Sequence, residues 1–290
     1  MNIQKYLAFL KTVELGSFTK AAQALNYTQS AVSHMINDLE SDWRLTLLER
    51  DRAGVRMTSD GQRLLPLIRE ICDGQRRLQG EVDELHGLGA GLIRIGTFSS
   101  VAAHWLPNMI KTFQLDYPNM DFEFLQGHYE DIEAWILDGR VDCGFLRLPA
   151  SRPGLEATFL EQDRLMAIIP ENHPQSGCAR FPLKALLDDP FMLLERGSRD
   201  EISKIFVRHG LSPKIHFVTW DDYAIMAMVE KGLGISILPE LILRRVPYRI
   251  LAKELEIPAY RRIGFAVRDS KLLTPAVKRF IEYLKFRNES

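Results

Sequence analysis

The feature that most constrains this chain is a pair of predicted helices joined by a very short corner, within residues 16–48. Ser17 is a good N-cap for the first helix, and Asn26 ends it because Asn tolerates the left-handed backbone conformation. Thr28 is the predicted N-cap of the second helix. The predicted buried face of that second helix consists of Val32, Met35, Ile36, Leu39 and Trp43. Two architectures fit the pair: a plain helical hairpin, or two helices of which the second can enter a DNA major groove.

The second helix also carries a polar outer face. Its members are Thr28, Gln29, Ser30, Ser33, His34 and Asn37. Gln and Asn side chains can pair with adenine in the major groove, so this face is the predicted base-reading surface. An ordinary solvent-exposed face is the alternative, and the helix spacing by itself does not separate the two.

The flanking residues favour the DNA-binding interpretation. A first helix is predicted to cover the pair and complete a three-helix core, through an apolar stripe of Ile3, Leu7, Leu10 and Val13. Residues 47–58 then have the pattern of a two-stranded wing with Gly54 at its tip. Three arginines lie in this wing, and we expect them to contact phosphates or the minor groove. They are Arg50, Arg52 and Arg56.

Two segments carry a resemblance to a known family: GSFTKAAQALNYTQSAVSHMINDLE and LLERDRAGVRMTSDGQRLL. They resemble the amino-terminal winged helix-turn-helix of the LysR-type transcriptional regulators. The rest of the chain, through Ser290, is similar to that family in size and in the order of its elements. The family often has Pro and Arg where this chain has Ser30 and His34. Because Ser suits the first turn of a helix, the resemblance implies the family's fold, with a base preference of this chain's own at those two positions.

The composition is typical of a globular protein with two domains: 290 residues, of which 46% are hydrophobic and 26% are charged. No apolar run approaches the roughly 18 residues of a membrane helix, and the amino terminus lacks the pattern of a secretory signal. We therefore expect a cytoplasmic protein with no membrane partner. Cys72, Cys143 and Cys178 are odd in number and far apart, which indicates neither a disulfide framework nor a metal cluster.

The charge of the amino-terminal segment does not indicate a basic domain. Residues 1–60 contain seven Lys and Arg and seven Asp and Glu, so their formal net charge is zero, while that of the whole chain is −1. A neutral domain has a small electrostatic share in its affinity for DNA, although helix N-termini and hydroxyl groups can also hold phosphates. The neutral charge therefore favours a protein that binds DNA with two subunits at once.

A long helix is predicted from Thr58 onward, with Thr58 as its N-cap and Pro66 causing a kink near its start. Seven residues recur along it at alternating steps of four and three, a heptad pattern with one polar member. They are Leu64, Ile68, Ile71, Gln75, Leu78, Val82 and Leu85. A helix lying on its own domain is one explanation, but the narrow stripe favours a dimer seam in which Gln75 sets the register. A second copy of the chain is thus a predicted partner, in a dimer or a tetramer that reads a palindromic site.

From residue 91 onward, strand and helix patterns alternate, which predicts an α/β domain with a parallel sheet. Predicted elements include a helix at 104–117 and a strand at 164–169, and Gly87, Gly89 and Gly91 form a predicted hinge before the domain. The LysR resemblance implies two α/β lobes that resemble the periplasmic solute-binding proteins, with chain crossovers near 160–163 and 265–267.

The predicted domain boundaries follow from these elements. They are 1–58 for a winged helix-turn-helix DNA-binding domain, 59–90 for a linker or dimerisation helix with its hinge, and 91–290 for an effector-binding domain. Within the last, lobe I comprises 91–161 with 266–290, and lobe II comprises 162–265.

Ligands of open α/β sheets lie beyond the carboxyl ends of the strands, and this rule selects a set of candidate residues. They are Ser99, Ser100, Gln126, Arg147, Ser198, Arg199 and Thr219. Hydroxyl groups and arginines in one cleft suit a small organic anion such as a carboxylate. The LysR resemblance supports the four hydroxyl residues of this set as cleft residues.

Each of these candidates has a structural alternative. Ser99 and Ser100 would merely cap a helix, Ser198 and Arg199 would begin another, and Arg147 would be a solvated strand end. Trp220 is a weaker candidate, while His104 and His128 are predicted to be surface or capping residues rather than metal ligands. No cofactor is predicted.

Three classes of function are open to a chain of this organisation. An enzyme is disfavoured because the chain has no G-x-S-x-G elbow, P-loop, H-E-x-x-H or Gly-rich dinucleotide loop, and Cys143 lies in an apolar strand. The fused amino-terminal segment and the missing signal disfavour a plain solute-binding protein. The sequence therefore predicts a ligand-responsive transcriptional regulator whose partners are double-stranded DNA, a small effector and its own copies, with RNA polymerase as a further candidate.

Overall fold

The computed structural model describes residues 2–51, 54–85, 91–194 and 201–288. The chain divides into two compact units, Met1–Leu85 and His86–Ser290. Some predictions lie outside the described residues: those for Arg52, Ser198, Arg199, Gly87 and Gly89, and for the side chain of Arg50.

The first unit contains four helices and a two-stranded wing. They are α1 (Ile3–Leu15), α2 (Phe18–Ala24), α3 (Gln29–Trp43), the antiparallel strands β1 (Leu48–Asp51) and β2 (Gly54–Met57), and α4 (Ser59–Leu85). The predicted caps are confirmed. The Ser17 hydroxyl accepts a hydrogen bond from Lys20 N at 3.4 Å, and the Thr28 hydroxyl accepts one from Ala31 N at 3.2 Å. Asn26 has the expected positive φ of 57°.

The buried face of α1 differs from the predicted stripe. The residues predicted to face the core are only half-buried at its margin: Ile3, Leu7, Leu10 and Val13. The fully buried residues are Tyr6, Ala8, Phe9 and Thr12. The reason is that α1 contacts α4 as well as α2 and α3. The side of α1 that faces the core is therefore rotated from the side that would face α2 and α3 alone.

The wing is fastened to the helices at both ends. Val55 N donates to Gly16 O at 3.2 Å, and Thr58 N donates to Leu47 O at 3.0 Å. Gly54 begins β2, with a φ of 130°, and an added Cβ would lie 3.0 Å from Gly16 O. Only glycine adopts that backbone conformation readily, so the short wing can pass this close to the corner between α1 and α2.

The second unit alternates strands and helices. Its strands are β3 (Gly91–Thr97), β4 (Met120–Gln126), β5 (Cys143–Leu148), β6 (Glu156–Pro170), β7 (Phe191–Leu194), β8 (Ile215–Thr219), β9 (Ile235–Pro239), β10 (Ile250–Glu254) and β11 (Tyr260–Val267). Its helices are α5 (Ser99–His104), α6 (Leu106–Asp116), α7 (Tyr129–Leu137), α8 (Glu201–His209), α9 (Asp222–Glu230) and α10 (Pro275–Glu282). Short 3-10 helices lie at Leu183–Leu187, Glu240–Leu243, Ser270–Leu272 and Tyr283–Asn288.

The sheet is mixed, so the prediction of a parallel sheet is wrong. The strand order is β4-β3-β5-β11-β6-β9-β7-β8, with β10 also paired to β6. The pairs of β3 with β4 and β5, and of β7 with β8 and β9, are parallel. The strands β6, β10 and β11 pair antiparallel with their neighbours. The reason is that the chain passes from one half to the other along β6 and returns along β11.

Two separate hydrophobic cores define two lobes. The lobe I core surrounds β3, β4 and β5, and the lobe II core surrounds β7 and β9. The strand predicted at 164–169 begins earlier, at Glu156, because β6 pairs with β11 before it enters lobe II. Leu160 packs in lobe I and Leu165 in lobe II, which agrees with a first crossover near 160–163.

The second crossover lies before the predicted position. Ala259 packs against the lobe II core, whereas Ile263 and Phe265 lie in the lobe I core. Strand β11 already pairs with β5 at Arg262, so the return to lobe I precedes residues 265–267. The helix predicted at 104–117 is confirmed as α6, Leu106–Asp116, which begins after the fully buried Trp105 and has Pro107 in its first turn.

Candidate functional site

The residues predicted to read DNA bases lie together on one face of α3, which we call the recognition face: Thr28, Gln29, Ser30, Ser33, His34 and Asn37. Ser33 is half-buried and the other five are exposed, with 78% of the His34 side chain accessible. The opposite face of α3 is held in the core by Val32, Ile36 and Leu39, as predicted, while Met35 and Trp43 are half-buried. The recognition face is therefore a polar surface on a rigidly packed helix.

Short-range contacts orient part of the recognition face. The hydroxyls of Thr28 and Ser30 lie 3.0 Å apart, within hydrogen-bond distance. His34 Nδ1 lies 3.3 Å from an Asp38 carboxylate oxygen, and Lys5 Nζ lies 3.5 Å from the same oxygen. A carboxylate next to a DNA-binding face would repel phosphates, and Lys5 offsets that charge.

The wing presents Arg56 on β2, where it is exposed and lies opposite Glu49 of β1 in the strand register. Arg50 is opposite Val55 in the same ladder. Neighbouring residues of a strand point to opposite faces, so Arg56 and Val55 belong to different faces of the wing. Val55 packs against the core, which leaves the Arg56 face outward.

The predicted seam of α4 is divided between two environments. Ile68 is 2% exposed and packs in the core of its own unit, and Leu64 is half-buried against the same core. At these two positions the burial supports the other explanation, in which α4 begins as a helix lying on its own domain. Leu65 and Cys72, which the heptad pattern missed, complete that buried stripe.

The remainder of the seam is exposed. The exposed fractions are 40% for Ile71, 61% for Leu78 and 86% for Leu85, and Leu67 is a further exposed apolar residue at 56%. Gln75 is exposed and Val82 half-buried. Apolar residues are thus repeated along one side of α4 from Leu67 to Leu85, where the first unit leaves them exposed.

A cavity of about 250 Å³ lies between the two lobes of the second unit. Its lining residues are Phe98, Ser99, Gln126, Gly127, His128, Tyr129, Asp131 and Trp220. Two predicted ligand residues meet here, since Gln126 Nε2 donates to the Ser99 hydroxyl at 3.3 Å. Lobe II contributes Trp220, whose ring centroid lies 6.5 Å from that of His128. We call this cavity the cleft.

Two aromatic residues that line the cleft are not among the predicted ligand residues. Trp220 follows β8 and is 64% exposed, and His128 precedes α7, where its backbone N donates to the Asp131 carboxylate at 3.1 Å. The strand-end rule already selects both positions. The predicted ligand residues are mainly hydroxyl groups and cations, whereas half of the residues that line the cleft are aromatic.

Ser100 does not line the cleft, because it is fully buried and its hydroxyl is engaged. Arg261 Nη2 donates to the Ser100 hydroxyl at 2.6 Å, Nη1 donates to the Tyr129 hydroxyl at 2.9 Å, and Nε donates to the Asp163 carboxylate at 2.8 Å. Burial by itself lowers the pKa of Arg261, but Tyr129 and Asp163 outweigh it and raise the pKa. The structure thus gives Ser100 a role in holding a buried cation at the crossover between the lobes.

Arg147 is neither a solvated strand end nor a lining residue of the cleft. It is 6% exposed, and its Nη1 donates to a Glu201 carboxylate oxygen at 2.8 Å. Its guanidinium also lies 5.5 Å from the centroid of the Tyr129 ring, behind the cleft wall. Since β5 belongs to lobe I and α8 to lobe II, this ion pair joins the lobes.

Thr219 ends β8 beside Trp220 and is half-buried. Its hydroxyl accepts a hydrogen bond from Asp221 N at 3.2 Å, which supports the start of α9. Thr219 is therefore adjacent to the cleft without lining it.

The described ranges contain no group of three or more His, Cys, Asp or Glu residues that could hold a metal ion. Cys143 is buried, and burial raises the pKa of its thiol well above the ordinary value. Burial likewise raises the pKa of Cys72 to about 11. Both thiols are therefore protonated and unreactive at neutral pH. Among the helices that the structure describes, none is both long and apolar enough to cross a membrane.

Known proteins resemble the chain in both units. The family described as "bacterial regulatory helix-turn-helix protein, lysR family" matches residues 3–62, and "LysR substrate binding domain" matches residues 86–287. The chain is 31% identical to "Uncharacterized HTH-type transcriptional regulator YvbU" of Bacillus subtilis, over 98% of both chains. It is 30% identical to "Probable HTH-type transcriptional regulator LrrA" of Synechococcus elongatus, over 98% of this chain and 97% of that one.

The fold is also that of solved structures. The crystal structure of full-length CbnR complexed with its target DNA aligns with a TM-score of 0.67 and 24% identity, covering 98% of this chain and 99% of that chain.

Proposed function

The chain belongs to the LysR family of bacterial transcriptional regulators, with a helix-turn-helix DNA-binding domain and an effector-binding domain, and we propose how its residues divide that work. The recognition face reads DNA bases, and the wing arginines contact the phosphate backbone of the DNA. The exposed part of α4 pairs two subunits, and the cleft holds a small organic effector. The single observation that carries the proposal is the polar, largely exposed face of α3 on a helix whose opposite side packs in the core through Val32, Ile36 and Leu39.

The proposed division of the chain has three parts. Residues 1–58 bind DNA, 59–90 form the linker and hinge, and 91–290 bind the effector. We place the protein in the cytoplasm, where chromosomal DNA and RNA polymerase, its further proposed partner, are found.

DNA reading is proposed for all six residues of the recognition face, and phosphate contacts for Arg50, Arg52 and Arg56. Exposed amide and hydroxyl groups on the first turns of α3 are suited to base edges. The neutral net charge of residues 1–60 supports a small electrostatic contribution from each subunit. The CbnR structure contains target DNA, and its likeness to this chain supports the same class of partner here.

Replacing His34 by Arg is expected to change base preference rather than overall affinity. Arg can donate two hydrogen bonds to guanine, so we expect a gain of G at one position of each half-site, with discrimination of about 1–3 kcal/mol. Selection of bound sequences from a randomised duplex, followed by titration of the selected and original sites, measures this. Ser33→Ala is expected to relax preference at a neighbouring position.

Arg56→Gln serves as the matched control. We expect it to weaken binding to all duplexes alike and to reduce the slope of log affinity against log salt by about 1. If His34→Arg instead weakened all sequences equally, His34 would be a phosphate contact and the proposed base-reading role would be wrong.

A small carboxylate is the proposed effector, and the proposed site comprises Ser99, Gln126, Ser198 and Arg199, with Thr219 supporting Trp220 from beside the cleft. Gln126 and Ser99 supply an amide and a hydroxyl donor, and the rings of Phe98, Tyr129 and Trp220 offer a wall for the carbon skeleton. Ser198 and Arg199 follow β7, whose carboxyl end is where an open sheet places ligand contacts. A volume of about 250 Å³ suits a compact molecule such as one with a single ring.

A thermal-shift screen tests the effector class. Carboxylates are expected to raise the melting temperature of the whole chain, because a ligand that binds only the folded state stabilises it. Their amides should raise it less, and Ser99→Ala should reduce the shift. Shifts from neutral or cationic compounds alone would rule out the carboxylate proposal.

Self-association is proposed through α4 and through the two edges of the large sheet. The edge strand β4 and the adjacent α6 expose Phe124 (47%) and Leu115 (77%), and the opposite edge strand β8 exposes Phe217 (41%) and Val218 (53%). Exposed apolar edge strands are sites where copies of a chain pair. Two kinds of interface in one chain support a tetramer as well as a dimer. Sedimentation of a variant with a charged residue at Phe217 should show smaller assemblies, and an unchanged profile would exclude that edge.

A further inference from the structure

A second cavity, of about 500 Å³, lies where the two crossover strands enter lobe II. Its lining residues are Gln162, Arg164, Leu165, Met166, Arg180, Glu240, Glu254, Leu255, Ile257, Pro258, Ala259 and Tyr260. It shares no lining residue with the cleft. We call it the hinge cavity, because it is bordered by β6 and by the start of β11.

The hinge cavity and the buried Arg261 cluster lie on opposite faces of the same two strands. Arg164 is paired in register with Tyr260, and Asp163 is paired with Arg261. Because successive side chains of a strand point to opposite faces, the first pair faces the hinge cavity and the second faces the buried cluster. Their burial agrees, since Asp163 and Arg261 are 6% and 2% exposed while Tyr260 is 47% exposed.

Two arginines and two glutamates lie at the mouth of the hinge cavity. Arg164 donates two hydrogen bonds to the Glu240 carboxylate, from Nε at 2.8 Å and from Nη2 at 2.6 Å, and it also pairs with Glu254. Arg180 Nε lies 3.8 Å from Glu254, and 66% of the Arg180 side chain is exposed. The four groups balance to zero, and all of them are at least 40% accessible.

The inner wall of the hinge cavity is apolar. Leu165, Met166 and Leu255 are at most 8% exposed, and Ile257 is half-buried. A molecule that fills the cavity would therefore need an apolar part for this wall and a polar end for the charged mouth.

We propose that the hinge cavity binds a zwitterion with an apolar side chain, the chemistry of an aliphatic α-amino acid. The ligand carboxylate pairs with Arg180, whose Nε lies 3.8 Å from Glu254 and whose side chain is 66% exposed, so it is open to a closer anionic partner. The ligand ammonium pairs with Glu254 and Glu240, and its side chain packs against Met166 and Leu255. The four groups at the mouth already sum to zero, so a plain anion or cation would add a net charge to the site, whereas a zwitterion adds none and can pair with groups of both signs.

The position of the site gives it a consequence for the cleft. A ligand in the hinge cavity contacts both crossover strands, next to the residues that hold Arg261 against Tyr129. Tyr129 lines the cleft. Any ligand that prefers one arrangement of the two strands changes the affinity of the cleft for its own ligand, and the reverse holds equally.

Isothermal titration of the whole chain with L-leucine and L-methionine tests the proposal. We expect saturable binding of both, and a loss of affinity of about tenfold or more for their amides and N-acetyl forms, each of which lacks one charge. Arg180→Gln is expected to weaken binding by a similar factor, because it removes a charged hydrogen-bond donor. Arg208→Gln, an exposed arginine on α8 that does not line the cavity, is the matched control and should leave binding unchanged.

Trp220→Ala distinguishes the two cavities. It removes a wall of the cleft, so amino-acid binding in the hinge cavity should survive it. The proposal is overturned if no zwitterion binds at concentrations up to about 10 mM, or if the amides bind equally well. It is also overturned if Trp220→Ala abolishes binding while Arg180→Gln does not, since the ligand would then occupy the cleft. None of these results bears on DNA binding, which is measured separately.

Discussion

Replacing Gly61 by Ala is expected to lower the free energy of unfolding of the first unit by about 3 kcal/mol. A Cβ at this position would lie 2.3 Å from the backbone oxygen of Leu47. That oxygen accepts the hydrogen bond from Thr58 N, while the Thr58 hydroxyl donates to Thr46 O at 2.6 Å and accepts from Gly61 N at 3.0 Å. Since neither partner of the clash is a flexible side chain, α4 must move away from the segment that precedes β1, and these bonds must lengthen.

Gly74→Ala is the matched control in the same helix. Its Cβ would meet only the end of the Arg77 side chain, at 3.7 Å. Helix propensity therefore acts alone there and should stabilise the unit by up to about 1 kcal/mol. Chemical denaturation measures the free energy of unfolding of both variants, which should fall for Gly61→Ala and rise for Gly74→Ala. Equal stabilisation by the two substitutions would show that the close approach of α4 to Leu47 does not exist.

The double substitution Leu78→Glu with Leu85→Glu is expected to abolish pairing through α4 and to weaken DNA binding by at least about 100-fold. These side chains are 61% and 86% exposed, so the fold of one chain does not depend on them. In a paired helix they would bring like charges together in an apolar seam. A single recognition helix would then have to hold DNA alone, with no excess of positive charge in residues 1–60 to assist it.

Gln62→Glu with Gln79→Glu adds the same charge to exposed positions of α4 outside the stripe, and it should leave the assembly intact. Sedimentation and gel-shift titration report the two effects. Unchanged sedimentation of the Leu78 and Leu85 variant would contradict the seam. Retained dimers with weakened DNA binding would assign self-association to the sheet edges and show that α4 only aligns the subunits.

The first unit was largely predictable because its signals are local. A cap such as Ser17 or Thr28 and a left-handed residue such as Asn26 act within one helical turn, and each is confirmed. The buried face of α1 was not predictable in the same way. It depends on contact with α4, which follows more than forty residues later in the chain.

The division of the α4 seam has a similar cause. A heptad pattern records that a stripe is apolar, but it does not record which surface covers it. Ile68 and Leu78 belong to one predicted stripe, yet the first is buried by its own unit and the second is exposed. The difference between them is that the core formed with the first three helices extends along α4 as far as Cys72, which lies after Ile68 and before Leu78.

Two predicted ligand residues do not line the cleft, because long-range partners hold their side chains elsewhere. Ser100 and Arg261 are separated by 161 residues in the sequence, and Arg147 and Glu201 by 54. Strand-end rules locate where polar residues gather, and they did identify Ser99 and Gln126. They do not distinguish a hydroxyl that faces a cavity from one that neutralises a buried cation next to it.

The continuous strands β6 and β11 also limit how this protein can be rebuilt. One way to give a sensor a new effector specificity is to replace its lobe II with that of a relative. Here both connections to lobe II run through paired strands, so an exchange would have to cut a continuous strand. A cut at either crossover would separate Asp163 from Arg261, or Arg164 from Tyr260, in the middle of a hydrogen-bonded ladder. The segment suited to exchange between relatives is therefore the whole second unit, joined after Leu85, because both lobes are then transferred together.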